Sequence, residues 1–277
     1  MYHIIVPIDF SEEALHGLNL AILLAKKIES RIEMVYVQKK SMDYNPGSKE
    51  EEQRFAEKEF KKIIDEYTAI VPRNIKLDYI IKSGRIYREI VNQAESFKDS
   101  FIVGSTHGAS GFEKFFIGSN AFKIISATNR PVFTIRGNQI PKQISKIILP
   151  LDITADTRQK LPFTAEIAQQ LGAEIHVVTV TSLQTEDISK KLASYSKQVC
   201  EYLESKKIPF VTESLVGSNI TDLTLDYAGL VNADLISIMT EQVADGNYIM
   251  GTAAQEMLNK STIPVLSINP KELHVVG

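Results

Sequence analysis

Cysteine and histidine are scarce in this 277-residue sequence: it has one cysteine, Cys200, and five scattered histidines. A single cysteine excludes an intrachain disulfide and favours a reducing compartment such as the cytoplasm. We expect Cys200 to be a buried, small apolar thiol, and a reactive thiol is the less favoured alternative. The histidines form neither a metal-ligand cluster nor a Ser-His-Asp spacing, so no catalytic residue is assigned.

Long apolar runs and an excess of basic residues are missing as well. No apolar stretch approaches the roughly 20 residues that a membrane-spanning helix needs. The first residues, MYHIIVPIDFSEE, lack a basic region and a long apolar run, so we expect no signal peptide. A net charge of -3 argues against a nucleic-acid surface. We therefore expect a cytoplasmic globular protein that binds neither nucleic acid nor a membrane.

The familiar phosphate-binding motifs are absent too. The glycine-rich segment GSTHGASGFEKFFIGS, residues 104–119, contains neither the Gly-Lys-Ser/Thr ending of a Walker loop nor GxGxxG. The first strand is followed by DFSEEA, not by the Ser-Gly-Gly-x-Asp-Ser loop of ATP pyrophosphatase-type ligases, and no His-x-Gly-His of nucleotidyl transferases occurs. Enzymatic activity stays uncertain, and at most slow ATP hydrolysis is left open.

The sequence does contain an internal repeat. Three segment pairs recur in the same order, and the first member of each pair lies in the first half. The pairs are HIIVPIDFSEEA with KIILPLDITADT, IGSNAFKII with MGTAAQEML, and NRPVFTIRGN with TIPVLSINPK. This repetition predicts two domains, residues 1–138 and 143–277, joined by a short polar linker.

Strand-like apolar runs alternate with helical periodicity in both halves. The predicted strands are 3–8, 31–37, 75–81, 100–105 and 132–136, then 146–151, 174–180, 208–215, 234–239 and 264–268. Such alternation predicts an α/β fold in which each half is a doubly wound, parallel, five-stranded sheet. Ser11 is a candidate N-cap of the first helix. Pro162 falls inside the first helix expected in the second half, so that helix should start late or kink. The polar stretch 39–54 is expected to be a solvated loop that runs into a helix start.

A ligand crevice is predicted where two strands of the first half end. Pro7 and Asp9 end the first strand and Ser105 ends the fourth, and ligands of open parallel sheets bind beyond such strand ends, where the strand order reverses. Gly118 and Ser119 open a helix, and a helix N-terminus attracts anions. Glycines at 104, 108 and 111 are expected to allow close backbone approach and positive φ. These features favour a phosphate site made of backbone amides and hydroxyls; the alternative is a flexible loop in a ligand-free interaction scaffold.

The same residues resemble the universal stress protein family, whose nucleotide-binding members carry G-x2-G-x9-G-(S/T) and an early Pro-x-Asp. Here Gly108, nine residues and then Gly118-Ser119 match the later part of that motif, while Ser105 replaces its first glycine. The resemblance covers both halves, so the chain is identified as a tandem member. It implies an adenine nucleotide alpha hydrolase-like fold, a role in the stress response, and binding of ATP, AMP or ADP, with Mg²⁺ as an optional companion.

The resemblance also implies roles for individual residues. Asp9 would contact the ribose or adenine side, the backbone of Val37 would bind adenine, and Gly108, Gly118 and Ser119 would hold phosphates. The complete implied set is Pro7, Asp9, Val37, Ser105, Thr106, His107, Gly108, Gly118, Ser119 and Asn120. Simpler roles stay open for three of them. The alternatives are that Asp9 caps the following helix and that His107 is a solvent-facing turn residue. Ser119 suits an N-cap, which is compatible with phosphate contact.

The second half departs further from the motif. Gly251-Thr252 is present, but Glu241 or Gln242 stands where the first half has Gly108. An acidic side chain there, or Asp245, would repel phosphate, so we expect this half to be mainly structural: it has lost triphosphate binding or binds something else. The resemblance further implies an intrachain pseudo-dimer through the last strands, PVFTIR and PVLSIN. A homodimer and an unknown protein partner stay open.

Overall fold

The structure is a computed structural model that describes residues 1–39, 46–72, 74–106, 117–242, 248–249 and 251–270. Contacts divide the chain into two units, Met1–Ile140 and Pro141–Gly277. Each unit is an α/β structure built on a parallel sheet, as the alternation of strands and helices predicted.

The first unit contains a five-stranded sheet among its described residues, in the order β3-β2-β1-β4-β5. Every neighbouring pair in it is parallel. The elements are β1 (Tyr2–Pro7), α1 (Glu12–Ala25), β2 (Ser30–Lys39), α2 (Pro46–Thr68), β3 (Lys76–Gly84), α3 (Ile86–Glu95), β4 (Ser100–Ser105), α4 (Ser119–Ala127) and β5 (Val132–Ile135). The chain leaves β1 first toward β2 and later returns on the other side as β4. The strand order therefore reverses between β1 and β4.

Burial on both faces explains why the central strands read as continuous apolar runs. Ile4, Ile5 and Val6 of β1 are completely buried, and β4 is buried from Ser100 to Gly104. Ser11 caps α1, because its hydroxyl accepts a hydrogen bond from the backbone N–H of Ala14 at 3.2 Å. The sheet, its helices and this N-cap confirm the sequence-based predictions.

The second unit repeats the arrangement, with the order β8-β7-β6-β9-β12 in its main sheet. Its elements are β6 (Lys146–Leu151), α5 (Leu161–Leu171), β7 (Glu174–Thr181), α6 (Glu186–Ser205), β8 (Phe210–Val216), α7 (Ile220–Leu230), β9 (Leu235–Met239), β10 (Glu241–Gln242), β11 (Tyr248–Ile249), α8 (Thr252–Lys260) and β12 (Val265–Ile268). Helix α5 starts late, as predicted: Ala155–Arg158 form a 3-10 turn, and Pro162 occupies the first turn of α5, where proline loses no hydrogen bond.

Two predictions about local structure need correction. The polar stretch 39–54 is helical from Pro46 onward, so the predicted loop is shorter than expected. Cys200 is half-buried on α6, not buried, and its sulfur lies 4.0 Å from the hydroxyl of Ser196. Desolvation raises the pKa of this thiol, which makes its thiolate scarcer.

The described part of the chain provides neither a membrane-spanning helix nor a metal-ligand cluster. None of its helices is long and apolar enough to cross a membrane. Its His, Cys, Asp and Glu side chains form no group of three or more that is suited to a metal ion.

Candidate functional site

A cleft of about 160 Å³ lies beyond the carboxyl ends of β1 and β4, where the strand order reverses. Its walls come from the strand ends, from α3 and from the start of α4. Eight of the residues that the sequence predicted for a site line it: Pro7, Asp9, Val37, Ser105, Thr106, Gly118, Ser119 and Asn120. His107 and Gly108 lie outside the described residues, and so does Gly111. The fold thus brings together residues that are more than a hundred positions apart.

Asp9 lies in the turn between β1 and α1, but it is not the helix cap. Its Oδ1 accepts hydrogen bonds from the backbone N–H of Ser11, at 3.1 Å, and from the Ser11 hydroxyl. Ser11 in turn caps α1, so the simpler role considered for Asp9 belongs to its neighbour. Asp9 is exposed and is the single charged residue among the described residues that line the cleft. The cleft therefore has no cationic side chain from this part of the protein.

Val37 lies on β2, just past the point where β1 ends. The last hydrogen bond between these strands runs from the Ile8 N–H to the Val35 carbonyl at 2.9 Å. Backbone groups of alternate residues face the same side of a strand, so the N–H and C=O of Val37 point in the same direction as those of Val35. On that side β1 has already left the sheet. Val37 is 7% exposed and lines the cleft, so it presents a donor and an acceptor to whatever fills that space.

The two ends of the loop after β4 are tied together by backbone hydrogen bonds. Thr106 donates its N–H to the Ile135 carbonyl at 2.9 Å, and Gly118 donates its N–H to the Thr106 carbonyl at 2.7 Å. Thr106 is buried, and Gly118 borders the cleft. Gly118 therefore shapes the cleft, but its N–H group is engaged within the protein and is not directed at a ligand.

Helix α4 starts at the cleft without a side-chain cap. Gly118 is its N-cap and Ser119 its first helical residue, so the prediction that Ser119 caps the helix is wrong by one position. The reason is that the Gly118 carbonyl already accepts the N–H of Phe122, at 3.0 Å, while a glycine has no side chain to receive the first-turn N–H groups. Ser119 and Asn120 are exposed at the cleft. An anion there would meet unsatisfied N–H donors and the positive end of the helix.

Gly104 serves close packing, and the positive φ expected there does not occur. A Cβ atom added to Gly17 of α1 would lie 3.0 Å from the Cα of Gly104 and 3.2 Å from the backbone nitrogen of Ser105. The Gly17–Gly104 contact lets α1 approach the end of β4 more closely than side chains would allow. The pair thus fixes the wall of the cleft behind Ser105.

Two aromatic residues, Phe10 and Tyr36, were not among the predicted site residues. Tyr36 lines the cleft, and its ring centroid lies 4.9 Å from that of Phe10. The Tyr36 hydroxyl donates to the Glu52 carboxylate of α2 at 2.7 Å. Burial and this hydrogen bond raise the pKa of Tyr36, so the phenol stays protonated. Phe10 has φ of 63°, an uncommon conformation for a large side chain that often marks functional turns. One sign in the sequence indicates that they belong to the site: Phe10 directly follows Asp9, and Tyr36 directly precedes Val37.

The second unit has a smaller cleft, of about 70 Å³, at the equivalent place. Pro150, Asp152 and Val180 line it as Pro7, Asp9 and Val37 line the first. The two repeats can be aligned by matching Pro7 with Pro150 and strand β4 with strand β9. In this alignment Lys160, Ile238 and Met239 stand where the first repeat has Gly17, Gly104 and Ser105. These larger side chains reduce the space. For Glu241 the backbone alone is described, and it pairs with Ile249 across β10 and β11.

Comparisons with known proteins agree with the fold and with the repetition. The profile of the universal stress protein family matches twice, at residues 1–136 and 143–269. A universal stress protein of Methanocaldococcus jannaschii is 29% identical over 147 residues, which span 48% of this chain and 81% of that protein.

Solved structures show the same architecture over nearly the whole chain. A universal stress protein from Archaeoglobus fulgidus DSM 4304 superposes with a TM-score of 0.80 at 19% identity, covering 96% of this chain and 98% of that one. A putative universal stress protein from Pseudomonas aeruginosa UCBPP-PA14 gives a TM-score of 0.64 at 16% identity, covering 97% and 93%. Because the family profile covers both units, the chain belongs to the universal stress protein family and contains two of its domains in tandem.

Proposed function

We propose that the first unit binds one adenine nucleotide, ATP or its mono- or diphosphate, and that the protein acts as a nucleotide-dependent regulator in the stress response. The observation that carries this proposal is the meeting of two sets of backbone groups in one cleft. One is the N–H and C=O of Val37, and the other is the uncapped first turn of α4, which begins at Ser119.

The lining of the cleft suits the separate parts of a nucleotide. Apolar side chains, among them Ile86, Ile90 and Ile102, provide a surface for a flat base. Adenine carries a hydrogen-bond donor beside an acceptor, and Val37 offers the matching acceptor and donor. Tyr36, next to Val37, also lines the cleft.

Electrostatics orient the ligand. A phosphate group is stabilised at the N-terminus of α4, because the helix dipole and its free N–H groups favour negative charge. The Asp9 carboxylate would repel a phosphate but would accept hydrogen bonds from ribose hydroxyls. The base would therefore lie by Val37, the ribose by Asp9 and the phosphates by Ser119 and Asn120. Mg²⁺, if present, would accompany the phosphates and neutralise part of their charge.

Adenine nucleotides occur in two solved structures of universal stress proteins, one in complex with cAMP and one from Archaeoglobus fulgidus with dAMP. These likenesses reach TM-scores of only 0.38 and cover 46% of this chain. The choice of an adenine nucleotide for this chain therefore depends on its own residues.

Equilibrium dialysis of the full chain with labelled ATP tests the proposal, with labelled GTP as the specificity arm. We expect saturable binding of one ATP per chain and weaker binding of GTP. Asn120→Asp should weaken ATP binding by about tenfold or more, because it sets a negative charge beside the phosphates. An acidic residue in the first turn is favourable for the helix itself, so folding should be preserved.

Ala253→Asp is the matched control, since Ala253 holds the equivalent position on α8 and should not affect ATP binding. Absence of saturable ATP binding up to about 1 mM would overturn the proposal. That outcome would favour the ligand-free scaffold, which also predicts that no nucleotide co-purifies. Slow ATP hydrolysis, the other alternative, is recognised by turnover that Asn120→Asp removes and Ala253→Asp retains. We expect the protein to act in the cytoplasm, because its single cysteine suits a reducing compartment.

A further inference from the structure

The second unit buries a lysine inside its small cleft. Lys160 is 2% exposed and lines the cleft with Asp152. Its Nζ donates to the Thr157 carbonyl at 2.8 Å and reaches the Thr157 hydroxyl at 3.3 Å. Two neutral oxygens thus receive hydrogen bonds from the ammonium group, but they carry no charge to balance it.

The charge of Lys160 has no ionic partner in the described part of the chain. Its ammonium group forms no ion pair within 4.0 Å there, and Asp152 is the other charged residue among the described residues lining the cleft. Burial lowers the pKa of Lys160 to about 8, and the more distant Asp152 opposes this shift only in part. A buried charge without a close counter-charge is costly. An anion entering the cleft would remove that cost.

A second group of donors faces the same space. Helix α8 starts at the cleft with Gly251 as its N-cap, and no side chain caps its first turn. Ala253 and Ala254, both in that turn, line the cleft. The N–H groups and the dipole of α8 favour negative charge. The buried ammonium group and the helix end therefore act on one cavity from two elements, α8 and the segment that precedes α5.

We propose that this cleft is a binding site for one small oxyanion, of the size of sulfate or inorganic phosphate, held between Lys160 Nζ and the first turn of α8. A volume of about 70 Å³ holds roughly five water-sized atoms, which matches an oxyanion of five heavy atoms. A nucleotide is excluded because Lys160, Ile238 and Met239 occupy the space where the first repeat has smaller residues. Nucleotide binding by the first unit is not a premise of this site, and either site can fail alone.

Equilibrium dialysis of the full chain with radiolabelled sulfate tests the site, because sulfate keeps its charge over the pH range used. The Asn120→Asp variant is measured in parallel, because a sulfate ion attracted to α4 would be lost in that variant and a sulfate ion held by Lys160 would not. We expect saturable binding of one sulfate at about pH 7, weakened by about tenfold or more at about pH 9.5, where Lys160 loses its proton. Acetate and chloride at equal ionic strength should compete less well than phosphate.

Two substitutions and a control decide the result. Lys160→Met should abolish this sulfate binding, while Asp152→Asn should strengthen it, because it removes the nearest negative charge. Lys190→Met, at an exposed position on α6, should leave binding unchanged. Circular dichroism and urea unfolding verify that each variant is folded. Equal sulfate binding by the wild type and Lys160→Met, or no saturable binding up to about 10 mM, would overturn the proposal.

Discussion

Asp9 and its counterpart Asp152 show how far the two repeats agree at the scale of single residues. In both, Oδ1 accepts hydrogen bonds from the backbone N–H and the hydroxyl of the residue two positions on, Ser11 or Thr154. An identical local turn cannot make the clefts different. The clefts differ because larger side chains surround Asp152 in the second unit. Among them, Lys160 changes the electrostatics most, because it brings a positive charge.

Lys160 should make the stability of the protein depend on pH. Its pKa is about 8 in the folded protein against an ordinary value of 10.5, so between these values the unfolded chain binds more protons. The free energy of unfolding should then rise with pH from about 8 to 10.5, by about 3 kcal/mol in total. Below pH 8 the protein bears the full free-energy cost of burying the charged ammonium group. Lys160→Met should therefore be more stable than the wild type there.

Urea unfolding of both proteins near pH 7 and near pH 10 measures this effect. The two should differ most near pH 7 and converge near pH 10. Lys190→Met serves as the control and should follow the wild type at both values. Equal stability differences at the two pH values would show that Lys160 does not carry a displaced pKa.

The sequence predicted residue positions well where a strand end determines them. Pro7, Asp9 and Val37 follow from the strand pattern together with the family resemblance, and the structure places all three at one cleft. Sequence patterns could not show that Gly118 donates its N–H to Thr106, since that bond depends on how the loop closes. The burial of Lys160 was not predictable from its sequence neighbourhood, because lysine is usually exposed; alignment with Gly17 shows only that a lysine replaces a glycine.

At the scale of elements, the close contact between α1 and β4 places a strict limit on side-chain size in the first unit. It depends on Gly17, which packs directly on the backbone of Gly104 in a buried central strand. Gly17→Ala should therefore lower the free energy of unfolding by roughly 1–3 kcal/mol, because neither backbone can retreat without repacking. The same change should weaken ATP binding, since Ser105 lies beside the contact.

Gly229→Ala provides the matched control on α7, because nothing lies within 4 Å of the position where the new Cβ would stand. It should stabilise the protein by about 0.5–1 kcal/mol, since alanine is the better helix former. Thermal or urea unfolding of the two variants makes the comparison. A Gly17→Ala variant as stable as Gly229→Ala would mean that the close approach is not a constraint.

Element boundaries were predictable where one residue type dictates them. Pro162 predicted the late start of α5, and the apolar runs predicted the buried strands. The start of α2 was not predictable in the same way. Its first residues, from Pro46, belong to a charged and polar stretch whose composition also suits a loop, and the apolar periodicity begins only at Ala56.

For the whole molecule, the repeated sequence predicted the repeated fold, because each copy carries its own strand and helix pattern. Equal folds do not imply equal sites. The first repeat has small residues at Gly17, Gly104 and Ser105, whereas the second repeat has a larger residue at each equivalent position. The pairing of PVFTIR with PVLSIN within one chain stays a prediction, as does the formation of a homodimer.

Amide NMR of the isotope-labelled full chain, titrated with ATP, tests most directly whether the nucleotide binds in the first cleft. We expect the largest chemical-shift changes at Val37 and at Ser119, Asn120 and Ala121, where backbone N–H groups meet the ligand. Amides of Thr252, Ala253 and Ala254, at the equivalent turn of α8, should stay unchanged. Changes confined to other parts of the protein, or equal changes at both helix starts, would contradict the assignment of the nucleotide to the first cleft.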